Sequence, residues 1–174
     1  MSQVRTNSIV PVGGVPSGAS GGGIIQVVSA SKTTTFSTTS TTFVDLTDLS
    51  VSITPRSASN KILIRYSVNC SNSSNNEASF FVLVRGSTQI FLGNGSSQTE
   101  ACTSTGNTYG LVSTPQGVFV HNMNTEYLDS PSTTSSTTYK VQARVTGGTC
   151  HVNRRGDSNT QGTVSSITVM EVSG

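Results

Sequence analysis

The stretch KILIRYSVNC, residues 61–70, decides the fold. Ile62, Ile64, Tyr66, Val68 and Cys70 fall at every second position, with Arg65, Ser67 and Asn69 among the residues between them. Successive side chains of a β-strand point to opposite faces, so this pattern sets one face against a core and the other toward water. No window of the chain carries apolar residues at helical spacing over three turns, so strands are expected throughout.

Working outward, residues 139–145 repeat the pattern, with Tyr139, Val141, Ala143 and Val145 alternating with Lys140, Gln142 and Arg144. Gly147-Gly148 is then expected to turn the chain tightly into a strand over 149–153. Residues 166–172 are apolar on both sides, Ile167 and Val169 against Met170 and Val172, as in a strand lying inside a sheet. Residues 80–85 are apolar on both faces up to Arg85, and Gly86-Ser87-Thr88 leads into residues 89–92 as a hairpin would. A strand buried on both sides points to a second sheet or a subunit interface. Shorter strands are expected over 24–28, 42–46, 49–53 and 116–122, the last with Val118 and Val120 on one face. The fold class expected is all-β: an antiparallel, jelly-roll-like β-sandwich over residues 24–174.

Residues 1–23 contain Pro11, Pro16 and Gly21-Gly22-Gly23 and no sustained apolar pattern. This is the composition of an extended arm, expected to dock on a neighbouring subunit or another protein, with Arg5, Asn7, Ile9 and Val10 as candidate docking residues.

The 174 residues fit one domain. Only 10% are charged and 6% aromatic, while Ser and Thr make up close to a third. An average domain is roughly 25% charged, so this chain is expected to draw stability from backbone pairing and subunit contacts. The net charge of +2 gives no field that would neutralise many phosphates, so nucleic acid is not an expected partner. The opening MSQVRTNSIVPVGG lacks the form of a signal peptide, and no stretch approaches the roughly 18 apolar residues of a membrane span, so no membrane insertion is expected. Cys70, Cys102 and Cys150 are odd in number and widely spaced, which favours free thiols made in a reducing cytosol over a disulfide framework or metal site.

Chemistry is sparse. Cys150 adjoins His151, but neighbours on a strand face opposite ways and cannot meet. The other histidine, His121, lies in no nucleophile motif. Asp45 and Asp48 would also face apart unless the chain turns at Thr47, the one weak hint of an ion site. Glycoside hydrolysis needs two carboxylates across a cleft, and no spacing here proposes such a pair. Arg155-Gly156-Asp157-Ser158 contains a cell-adhesion tripeptide, though Gly between two charged residues is ordinary turn chemistry. Asn72-Ser73-Ser74 and Asn94-Gly95-Ser96 fit the glycosylation pattern and, without a secretory signal, read as loops. No catalytic residue, metal or cofactor is therefore expected. The long polar loops over 93–110 and 154–162 are candidate contact surfaces, with Asn107, Tyr109, Arg154 and Arg155 as candidate binding residues.

Residues 24–68, IIQVVSASKTTTFSTTSTTFVDLTDLSVSITPRSASNKILIRYSV, resemble a domain common in fibre and other virion structural proteins of marine and freshwater tailed bacteriophages. Residues 127–154 and 165–172 resemble the C-terminal half of the same domain. The opening VRTNSIVPVGG, residues 4–14, is similar to short N-terminal arms that attach such proteins or help them trimerise. The resemblance implies a homotrimeric β domain on the virion surface, assembled in the cytoplasm of the bacterial host and docked on capsid or tail proteins through residues 1–23. It carries over no catalytic residues. Phage fibres usually carry a long shaft, whereas this chain has a short arm, so capsid decoration or a head fibre stands beside a tail fibre. The alternative is a receptor-binding module that recognises host surface glycan through the polar loops.

Overall fold

The computed structural model describes residues 23–74, 76–94, 101–107, 119–158 and 161–174. Its strands are β1 (Ile24–Lys32), β2 (Phe36–Thr38), β3 (Val44–Ile53), β4 (Lys61–Asn72), β5 (Ala78–Arg85), β6 (Thr88–Ile90), β7 (Ser104–Asn107), β8 (His121–Asp129), β9 (Thr137–Val145), β10 (Cys150–Val152) and β11 (Ser165–Val172). No helix occurs among the described residues.

The strands form two antiparallel sheets packed face to face as a β-sandwich. In the first sheet β4 is central. β8 pairs along one of its sides, while β11 takes the first half of the other side and β10 the end, with β1 outside β11 and β2 outside β10. The second sheet runs β3, β9, β5, and the far side of β5 is shared by β6 and β7. The alternation in residues 61–70 has the expected result: Ile62, Ile64 and Val68 are fully buried, with Tyr66 and Cys70 nearly so. They meet Val51 and Ile53 of β3, Tyr139, Val141, Ala143 and Val145 of β9, and Phe81 and Leu83 of β5 in one core. Each Val, Leu, Ile or Phe side chain there contributes roughly 1.5–3 kcal/mol when fully removed from water.

The junction where β10 takes over from β11 along β4 is knitted by Asn153, which is buried and sits at φ 63, a left-handed conformation that asparagine tolerates. Its amide donates to the backbone oxygens of Lys32 (2.7 Å) and Thr34 (3.1 Å), and its side-chain oxygen accepts from Ser165 (2.6 Å).

Several local expectations are corrected. The strands expected over 42–46 and 49–53 are one strand, β3, which begins at Val44 and whose register slips between Asp45 and Ser50 around Asp48 at φ 68. This irregularity lets Leu46 and Leu49, three apart, both face the core. The strand expected over 116–122 begins at His121 and continues to Asp129, and residues 116–118, including Val118, lie outside the described residues. The polar segment 93–110 contains β7, and β2 was not anticipated. Gly147-Gly148 turns the chain into β10 as expected, and in doing so takes it from β9 in the second sheet to β10 in the first. The turn crosses between sheets with Gly148 at φ 67, where a Cβ would stand 2.5 Å from the Asn72 side-chain oxygen, so only glycine fits. Asn72 itself is buried at the end of β4, its amide donating to Ser79 and to the Gly147 carbonyl, so it is not a loop residue open to glycosylation.

Candidate functional site

The candidate binding residues that are described fall on both sheets. Arg5, Asn7, Ile9, Val10 and Tyr109 lie outside the described residues. Asn107 ends β7 in the second sheet, paired in register with Ala78, whereas Arg154 and Arg155 follow β10 in the first sheet. Both arginines make local contacts, although Arg155 Nε is buried without a hydrogen-bond partner among the described residues. Arg154 donates from Nε to the Arg155 carbonyl (2.8 Å), and Arg155 forms a 2.6 Å ion pair with Asp157 and reaches Gln161 at 3.4 Å. The adhesion tripeptide thus closes on itself, with both charged side chains about three-quarters covered, rather than presenting an extended Arg and Asp.

The described carboxylates are likewise engaged. Asp45 accepts from Lys140 (2.9 Å) and Gln142 (2.7 Å), and these hydrogen bonds hold its carboxyl below the usual range against the opposing effect of burial. Asp48 pairs with the buried Lys32 at 3.2 Å, and Lys32 also donates to Thr34 and Thr47. The two aspartates therefore serve different lysines instead of sharing an ion. Glu77 accepts from Thr146, and Glu126 pairs with Arg65 at 3.0 Å. Asp129 takes Arg85 at 2.8 and 2.9 Å and the Tyr139 hydroxyl at 2.6 Å. Glu171, fully buried, accepts from the Asn60 amide and the Arg56 backbone N–H, each at 2.6 Å, and from Gln26. Burial alone would raise its pKa, but these donors outweigh burial and hold it below the ordinary glutamate value.

Cys150 and His151 face opposite ways, as a strand requires: Cys150 is fully buried and His151 half-buried on the other face. Burial and the charge of Arg154 push the His151 pKa down, so its imidazole is neutral at pH 7. The sequence missed that Cys70 and Cys150 meet inside the core. The hydrogen bond to Cys150, together with burial, pushes the Cys70 thiol well up. No group of three His, Cys, Asp or Glu able to hold a metal occurs among the described residues.

The surface feature that the sequence hid is the outer face of the first sheet. A shallow groove of about 440 Å³ there is lined by Arg65, Ser67, Asn124, Glu126, Ser166, Thr168 and Met170. Beside it stand Leu63, Leu128 and Val27, apolar and turned away from the core. The signal available was Leu63, an apolar residue on the otherwise polar face of residues 61–70, together with Met170 on the face of β11 opposite Ile167.

No protein-family model matches the chain, and no curated protein is significantly similar to it.

Proposed function

We propose that the chain is a non-enzymatic structural subunit of a tailed-bacteriophage particle: a trimeric surface appendage, docked on capsid or tail proteins through residues 1–23. The observation that carries the reading is the internal use of charge. Asp45, Asp48, Asp129 and Glu171 hold strands and loops of the sandwich together, and each has a partner inside the fold. Acid–base chemistry needs a carboxylate poised over a substrate, and these are committed to structure. The resemblance of residues 24–68, 127–154 and 165–172 to virion domains supplies the setting.

The competing reading is recognition of host surface glycan. Its support is the groove beside Arg65, Asn124 and Glu126, whose amide and charged groups suit sugar hydroxyls. Saturable binding of the purified chain to host cells, lost on changing groove residues, would favour it.

Protein mass spectrometry of gradient-purified particles tests the main proposal. The chain is expected at stoichiometric copy number, in multiples set by the particle's symmetry. Its absence from intact particles would overturn the reading.

A further inference from the structure

Sulfur gathers between the sheets at the end of β4 where β10 takes over from β11. Cys70 of β4 and Cys150 of β10 stand diagonally across the strand pair, since Cys70 is in register with Val152 and Cys150 with Asn72. Both are buried, and their thiols are hydrogen-bonded to each other. Met123 comes from β8 on the other side of β4 and packs against the same core. The facing sheet supplies Gly106 of β7, also buried. A Cβ on that glycine would stand 3.5 Å from both the Cys70 Sγ and the Met123 Sδ. Gly106 therefore leaves open, beside the two sulfurs, the room that any other side chain would take.

The polar groups around the sulfurs exceed what a plain apolar core needs. The Cys150 Sγ accepts from the Cys70 thiol and from the Ser79 hydroxyl, and Ser79 in turn accepts from the Asn72 amide at 3.2 Å. Two donors on one sulfur favour its thiolate, and they hold the Cys150 thiol below its ordinary value against the opposing effect of burial. His121 stands directly opposite Cys70 in register, on the same inward face, and its Nε2 is buried with no hydrogen-bond partner. A buried ring nitrogen left without a partner points to a further atom at this end of the core.

The ligand atoms indicate which ion fits. Thiolate and thioether are soft ligands, which select monovalent copper over the harder ions that carboxylates hold. Zinc takes its ligands from Cys, His and carboxylate, and the described residues offer no group of three of these. Charge points the same way: one thiolate and one monovalent cation sum to zero, which suits a core where an unbalanced charge is costly. We propose that Cys70, Cys150 and Met123 form a site for a single copper(I) ion, held between the sheets beside Gly106 and bordered by His121. On binding, the ion takes the place of the Cys150 thiol proton, which passes to solvent, and no electron is transferred. The site does not depend on the chain being a virion subunit.

Anaerobic titration of the full, reduced chain with copper(I), in competition with a chromogenic copper(I) chelator, tests it. The wild type is expected to withdraw a single ion per chain from the chelator, to gain the ultraviolet absorption of a copper-thiolate bond, and to unfold at a higher temperature. Cys70→Ala and Cys150→Ala are each expected to abolish uptake, Met123→Leu to weaken it about tenfold, and Cys102→Ser to leave it unchanged. Gly106→Ala keeps both thiols and meets its neighbours at ordinary contact distance, so it is expected to fold with wild-type far-UV circular dichroism and yet lose uptake. A folded wild type that leaves the copper with the chelator would overturn the site. Uptake that survives Cys70→Ala or Gly106→Ala, or that disappears with Cys102→Ser, would place the ion elsewhere and overturn it equally. Zinc taken up where copper(I) is refused would overturn the choice of ion.

Discussion

The Tyr139 hydroxyl on β9 donates a 2.6 Å hydrogen bond to the Asp129 carboxylate at the end of β8, joining the edge of the first sheet to the interior of the second. Arg85 on β5 closes the same knot at 2.8 and 2.9 Å. Burial, reinforced by the neighbouring carboxylate, pushes the tyrosine pKa far up, so the hydroxyl remains a donor at any ordinary pH. Tyr139→Phe leaves Asp129 its ion pair and is expected to cost about 1–2 kcal/mol. Asp129→Ala strands a buried hydroxyl and a guanidinium together, and is expected to cost about 3 kcal/mol or more. Urea unfolding at matched protein concentration measures both, and equal costs would contradict the account of the knot.

Glu171 makes stability depend on acid. Its folded pKa lies below the unfolded one, so its contribution is complete above the ordinary glutamate range and is lost as pH falls through that range and below. Glu171→Gln should destabilise the chain by about 2 kcal/mol at pH 7, because an amide NH2 meets donors that need an acceptor. The same variant should flatten the loss of stability between neutral and acid pH. A wild type and variant with parallel pH profiles would exclude Glu171 as the titrating group.

The thiols should react in two classes. Cys70 and Cys150 are buried against each other, and Cys102 is half-buried with its thiol pushed up by burial. A chromogenic disulfide reagent is expected to modify at most one thiol per native chain, slowly, and all the cysteines once urea is added. Rapid modification of Cys70 or Cys150 in the native chain would mean that the core opens there.

The closed Arg155–Asp157 pair leads to a negative result. Surfaces coated with the chain should support no more integrin-dependent cell adhesion than surfaces coated with Asp157→Glu. Adhesion abolished by that one substitution would show that the loop opens to present the tripeptide.

The strongest strands were legible because their residues differ sharply in polarity from one position to the next. Ile62 to Cys70 and Tyr139 to Val145 alternate large apolar groups with charged or amide ones, and both lie at the centre of a sheet with one face in the core. β8 was expected only as far as residue 122 because its inward residues include His121 and Thr125 as well as Met123 and Tyr127, so the contrast with Asn122, Asn124 and Glu126 is weak. β2 and β7 are short and built largely of Ser, Thr, Gly and Asn, which carry no period. Asp48 divided β3 in the sequence because an irregularity shifts the inward positions from every second residue to Leu46 and Leu49. The apolar row on the outer face of the first sheet was hidden for a different reason: Val27, Met170, Leu63 and Leu128 come from four strands, and only their register brings them together.

The most direct test of the central claim, that this chain is a built-in part of a phage particle, is gold-labelled imaging of intact particles with antibody raised against residues 24–174. The account predicts gold on the particle surface, spread over the head for capsid decoration or a head fibre and confined to the tail for a tail fibre. Intact particles that carry no label, under conditions in which the antibody binds the purified chain, would contradict it.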